Sequence, residues 1–166
     1  MSSQSNQNNF PNAAEACGRS EEDSLSQRSV LKLSVCQFCG SKIRLEKFEG
    51  RLQVLVADEV IADSTRAILF REAERPPAVY FPPEDVRVDL LQPTDLQTVC
   101  YYKGDASYWS IHTGERVIEN AVWSYKDASE DSVAIRGYLS FYWNKVDGWL
   151  KDGEPFEDRL QSLYAI

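Results

Sequence analysis

From Ser29 onward the chain alternates hydrophobic and polar residues in short runs. Val30, Leu31, Leu33 and Val35 lead into Cys36-Gln-Phe-Cys-Gly40, after which Ile43, Leu45 and Phe48 alternate with charged residues. A period of two is the mark of a strand with one buried face. Gly50 breaks the run, and Leu52, Val54 and Val56 predict a second strand. Ala57-Asp-Glu59 fits a tight turn, with the return strand beginning at Val60–Asp63 and β-rich sequence continuing through Ala67–Arg71. Arg75-Pro-Pro77 ends that element, and Val79–Phe81 forms a short strand stopped by Pro82-Pro83. The second proline suits the first turn of a short helix, with Glu84 and Asp85 favourable at its N-terminal end.

Val86–Leu91 reads as a strand or extended segment, Pro93-Thr-Asp95 as a turn, and Gln97–Tyr102 as a strand. Over Ser107–His112 the alternation puts Tyr108, Ser110 and His112 on one face and Ser107, Trp109 and Ile111 on the other. Thr113-Gly114 reads as a hairpin turn. In Val117–Tyr125, Ala121, Trp123 and Tyr125 share a face, and Lys126–Ser132 is a polar loop or one helical turn. Gly137–Trp143 is a strand with Leu139, Phe141 and Trp143 on one side and Tyr138, Ser140 and Tyr142 on the other. Long helical connections between strands are absent, which argues against a βαβ fold. The class is therefore mostly β: a single compact antiparallel β domain over 29–155 with short helical turns.

Residues 1–28 are rich in Ser, Asn, Gln and acids and carry only Phe10 and Leu25 as large apolar side chains after Met1, too few to bury, so they are expected to be a disordered tail. Residues 156–166 form a short C-terminal extension, where Phe156, Leu160 and Leu163 have helical spacing that begins at Glu154.

The 166 residues are 43% hydrophobic and 11% aromatic, enough for one real core. A net charge of -8 and the lack of any basic block argue against nucleic acid as a partner. No apolar run approaches the length of a membrane span, and no secretory signal is visible, so a cytoplasmic location is expected. The cysteines Cys17, Cys36, Cys39 and Cys100 are then expected to be free thiols. Cys36-Gln-Phe-Cys39 is half of a zinc knuckle, but only Cys17, Cys100 and His112 remain to complete four ligands. Structural zinc is not the expected outcome, a redox pair or two inert thiols are the alternatives, and no cofactor is predicted. His112 reads as exposed, beside a turn.

The densest chemistry lies in Cys100-Tyr-Tyr-Lys-Gly-Asp-Ala-Ser-Tyr-Trp109. Cys100 and Lys103 would face apart on a straight strand, but Gly104 permits a bend that brings them together. A nearby ammonium favours the thiolate, so the pair reads as nucleophile and electrostatic partner; the plainer reading is a buried cysteine beside a surface lysine. Tyr80, Tyr102, Tyr108, Trp109, Trp123, Tyr125, Tyr138 and Tyr142 form an aromatic set of which most are expected to be sheet core and two or three to line a pocket that stacks a planar or cationic ligand; Tyr80, Tyr102, Tyr108, Trp123 and Tyr138, with Gly104, are the leading candidates. Asp63 and Glu72 are candidate polar partners.

Several runs resemble one family: Val60-Ile-Ala-Asp-Ser-Thr-Arg-Ala67, Tyr80-Phe-Pro with Glu84-Asp-Val86, Asp89-Leu-Leu91, the Cys100–Trp109 stretch, Asn120-Ala-Val-Trp-Ser-Tyr125, Ile135-Arg-Gly-Tyr138 and Phe141-Tyr-Trp with Val146-Asp147. This ordered set, within about 51–150, resembles domain-of-unknown-function family 427. The resemblance implies a β-tent fold, similar to methionine-R-sulfoxide reductases and to the thalidomide-binding domain of cereblon. The family also carries a nucleotidyltransferase-like label, but such enzymes need a Gly-Ser pair followed by closely spaced metal-binding carboxylates, and this chain has only scattered acids. Tyr101 departs from the family pattern, in which proline commonly follows the cysteine. Two functions follow as expectations: a protein that binds, and in one version acts on, a small molecule in an aromatic pocket with a Cys/Lys pair, or a non-catalytic module that grips a peptide or modified side chain.

Overall fold

The computed structural model describes residues 30–37, 39–73 and 75–156. The expected N-terminal tail and the helical extension beyond 156 lie outside the described residues. Among the described residues twelve strands occur in chain order: β1 (Val30–Val35), β2 (Lys42–Lys47), β3 (Leu52–Val56), β4 (Glu59–Ser64), β5 (Ile68–Glu72), β6 (Ala78–Phe81), β7 (Leu91–Cys100), β8 (Gly104–Thr113), β9 (Arg116–Ser124), β10 (Leu139–Phe141), β11 (Gly148–Lys151) and β12 (Glu154–Pro155). They make an eight-stranded sheet in the order β1-β2-β5-β6-β10-β9-β8-β7 and a four-stranded sheet in the order β12-β11-β3-β4. The strand pairings are antiparallel, and the fold is mostly β.

Alternation divides the large sheet into two faces. Leu69, Val79, Phe81, Val122, Leu139 and Phe141 pack with Leu52, Val54, Val56 and Trp149 of the small sheet to form one core. Ile43, Leu45, Ile68, Phe70, Tyr80, Tyr102, Tyr108 and Tyr125 form a second cluster on the opposite face. The strand read over Gly137–Trp143 divides as its pattern implied: Leu139 and Phe141 enter the first core with Trp143 against it, while Tyr138 and Tyr142 pack on the second. The large sheet curls toward this second face. Tyr102, in the β7–β8 turn, stands 6.1 Å from the Phe70 ring of β5, and its hydroxyl lies 2.5 Å from Ser34 Oγ of β1. Lys32 of β1 also pairs with Asp131, beyond β9.

Turn chemistry explains the joints. Ala57 and Asp58, at φ of 50° and 62°, link β3 to β4, and Gly114, at 55°, helps link β8 to β9. Pro83 opens the short 3-10 turn Pro83–Asp85 expected there.

Four local expectations are corrected. Pro93-Thr-Asp95 is not a turn between strands; it lies within β7, where the pairing with β8 shifts register between Pro93 and Gln97. An edge strand can carry a proline and a bulge because one side of its backbone has no partner. Val86 makes only an isolated bridge to Ala62, and Val88–Leu90 is a second 3-10 turn instead of a strand. Glu154 does not begin a helix: Glu154 and Pro155 pair with Lys151 and Leu150 of β11. His112 is half-buried within β8, across from Val117, and is not exposed.

Candidate functional site

The second face is not filled to its surface. A cavity of about 550 Å³ opens over it, lined by Phe70, Glu72, Arg75, Pro77, Lys103, Tyr108, Trp123, Tyr125, Tyr142 and Trp143 among others. A second cavity of about 350 Å³ is lined by Cys36, Cys39, Thr98, Cys100 and Tyr102, and shares Glu72, Arg75, Lys103 and Tyr125 with the first. The two therefore adjoin across a wall of three charged side chains and one phenol.

The β7–β8 hairpin positions this wall. Cys100 pairs with Gly104, and Tyr101-Tyr102-Lys103 makes the turn between them. Gly104 sits at φ +107°, and a Cβ there would stand 3.2 Å from the Asp127 carbonyl oxygen. Glycine is thus required both by backbone conformation and by space. Ser129 N–H donates to the Lys103 carbonyl at 3.0 Å, and Ser129 Oγ donates to the Tyr102 carbonyl at 2.6 Å. These bonds hold the turn so that Lys103 extends over the second face. Its Nζ stands 4.3 Å from the Phe70 ring centroid and 5.3 Å from that of Tyr125. Among the described residues no carboxylate pairs with it, whereas Arg75 Nε lies 3.7 Å from Glu72 Oε1.

The aromatic wall is internally bonded. The Trp123 and Tyr142 rings lie 4.6 Å apart, and Tyr108 Oη is 2.8 Å from Thr98 Oγ1. Burial pushes the Tyr142 phenol up to about 12, with the neighbouring Tyr108 adding to it. Burial also pushes Tyr125 well above the ordinary phenol range, against an opposing pull from the Lys103 ammonium. At neutral pH Tyr125 and Tyr142 therefore stand as uncharged phenols beside the Lys103 side chain.

The sequence candidates distribute unevenly. Cys100 and Lys103 line the smaller cavity, and Tyr102 joins them there; Tyr108 and Trp123 line the larger. Glu72 lines both. Gly104 acts through the turn it permits. Tyr80 is corrected: it is fully buried beneath the site, where its hydroxyl accepts the Trp123 Nε1–H at 3.3 Å. It supports Trp123 instead of meeting a ligand. Tyr138 packs half-buried against the cluster and lines neither cavity. Asp63 is also corrected: on β4 it accepts Arg51 Nε–H at 2.7 Å and faces a separate groove with Asp85 and Arg87. Cys36, Cys39 and Cys100 are free, and among the described residues no group of three His, Cys, Asp or Glu side chains is arranged to hold a metal. Tyr125 and Tyr142 belong to the aromatic set read from sequence, whereas Phe70 and Arg75 were missed, because pairing of distant strands brings them to the site.

A family model named NTP_transf_9 and described as a domain of unknown function, DUF427, matches residues 44–152. The chain belongs to the DUF427 family. The match takes in the strands that build the larger cavity and the β7–β8 hairpin, while β1 and the Cys36/Cys39 turn precede it, so this DUF427 chain adds those two thiols from outside the shared region. No curated protein matches it. Among its described residues no helix is long and apolar enough to cross a membrane.

Proposed function

We propose that this DUF427 protein binds a small planar molecule with an anionic group in the aromatic cavity. The observation that carries the reading is Lys103: a half-buried ammonium set over two aromatic rings, with no carboxylate partner among the described residues. Desolvated cations are costly unless compensated, and ring faces compensate only in part. An anionic ligand would complete the site, while Trp123 and Tyr142 offer faces for its planar body. The cavity is of the size that small ligands occupy. The expected setting is cytoplasmic, with no nucleic acid or membrane as partner.

The test is tryptophan emission titrated with phenyl and indole carboxylates, preceded by native mass spectrometry to find any retained ligand. Binding is expected, and Lys103→Met should weaken it about tenfold, the loss of one charged contact. Saturable binding that is equally tight in Lys103→Met, or no binding by any aromatic acid, overturns the reading.

One observation favours a second reading. Cys100, Lys103 and Glu72 line the same smaller cavity, as an enzyme using Cys100 as nucleophile would require. Alkylation of Cys100 in the folded protein, slowed by Lys103→Met, would support it; a Cys100 that stays unlabelled until unfolding would remove it. The grip on a peptide or modified side chain is then left as the alternative without a nucleophile.

A further inference from the structure

We propose that Cys36 and Cys39 form a dithiol–disulfide pair that exchanges with small disulfides at the edge of the smaller cavity. The inference goes beyond the ligand reading and does not depend on it.

The chain turns between β1 and β2 through these residues. Cys36 N–H donates to the Ser41 carbonyl at 2.9 Å, and Gly40 N–H donates to the Cys36 carbonyl at 2.8 Å. Gly40 holds φ at +72°. Both cysteines therefore sit in one closed turn. Both also line the smaller cavity. They differ in access: Cys36 is 4% exposed and packs in the second cluster, whereas Cys39 is open to solvent. Cys39 Sγ stands 3.2 Å from Ser41 Oγ and 3.9 Å from Glu72 Oε1.

Exchange chemistry needs this division: an accessible thiolate to attack first and a shielded neighbour to resolve the product. The Ser41 hydroxyl holds the Cys39 thiol below its ordinary range, helped by the Ser41 backbone N–H and the Cys36 thiol, against slight desolvation and the Glu72 carboxylate. Disulfides in reducing compartments are usually transient in this way.

The Cys39 thiolate attacks one sulfur of the small disulfide, and the other half leaves as a thiolate. A mixed disulfide now stands on Cys39. Cys36 gives up its proton, its sulfur attacks that of Cys39, and the second half leaves. The two thiols have lost two electrons and two protons, and the small disulfide has become two thiols.

The test exposes the reduced full-length chain to glutathione disulfide and maps peptides without reduction. The wild type should give a Cys36–Cys39 cross-link without lasting mixed disulfide. Cys36→Ser should stall with glutathione on Cys39, and Cys36→Ala should do the same if serine disturbs the buried position. Cys39→Ser should yield neither product at this turn. Modification at Cys39 should begin about tenfold faster than at Cys100, as expected for an exposed thiolate. An unmodified Cys39 in both folded Cys36 variants overturns the proposal, as does a wild-type mixed disulfide that never resolves.

Discussion

The two faces of the eight-stranded sheet are made by the same strands and have opposite characters. β6 shows it within three residues: Val79 and Phe81 go to the face against the small sheet, and Tyr80 goes to the other. The first face meets a second layer of Leu, Val, Phe and Trp, so its side chains interlock with a partner surface. The second is curled over tyrosines, leaves a cavity and holds a lysine without a counter-ion among the described residues. Stability is thus concentrated on one face, and the other can hold an incomplete polar site.

The contrast breaks most severely at Phe81. Its ring lies 5.6 Å from Phe141 and 6.2 Å from Trp149, with no exposure. Phe81→Ala should lower unfolding free energy by about 3–5 kcal/mol, read from denaturant titration. A loss close to that of a surface substitution would show that this face is not the stabilising one. Gly104→Ala comes next, since it strains a positive φ and crowds the Asp127 carbonyl. About 1–3 kcal/mol should be lost, with weaker ligand binding because Lys103 moves with the turn; unchanged values for both would separate the hairpin from the site.

An alkaline titration sharpens the comparison further. Tyr142 holds its proton up to about 12, and Tyr125 and Tyr80 are also shifted upward by burial. The unfolded phenols ionise near 10. Between these limits the native state binds more protons than the unfolded state, so stability is full below about pH 10 and falls as pH rises above it. Phenolate absorbance should lag in the native protein and appear in step with unfolding; free ionisation of all tyrosines before unfolding would contradict the burial of this face. The smallest effect is expected at Asp63, whose carboxyl is held below its ordinary range by Arg51. That contribution is present above the ordinary carboxylate pKa and disappears as pH falls through the lowered one. Because the pair is exposed, Asp63→Asn should cost less than about 1 kcal/mol at neutral pH and leave ligand binding unchanged.

What could be read from sequence was what depends on near neighbours. The two sides of Gly137–Trp143, the turn at Ala57-Asp58 and the Pro83 turn follow from alternation and backbone preference. Bending at Gly104 was legible for the same reason. The depth of Tyr80 was not, because a tyrosine at a buried strand position looks like one beside a pocket until the neighbouring strands are known. Asp63 was misplaced because its position in a family-like run says nothing of which sheet carries it. Phe70, Glu72 and Arg75 meet Lys103 only through the order of strands in the large sheet, and chain-local patterns do not encode that order. Pro93 misled in the usual sense of a turn former, since an unpaired strand edge admits it.

The indole rings of Trp143 and Trp149 lie 3.9 Å apart, one beyond the end of β10 and the other on β11, and Trp143 also lines the larger cavity. Two chromophores at that separation couple their electronic transitions. The molecule therefore carries its own optical gauge: a paired near-ultraviolet dichroism signal that vanishes when the layers part and changes shape when the Trp143 side of the pair is disturbed. Loss of layering and occupancy of the cavity leave different spectral marks, so both can be followed in one cuvette without any added label.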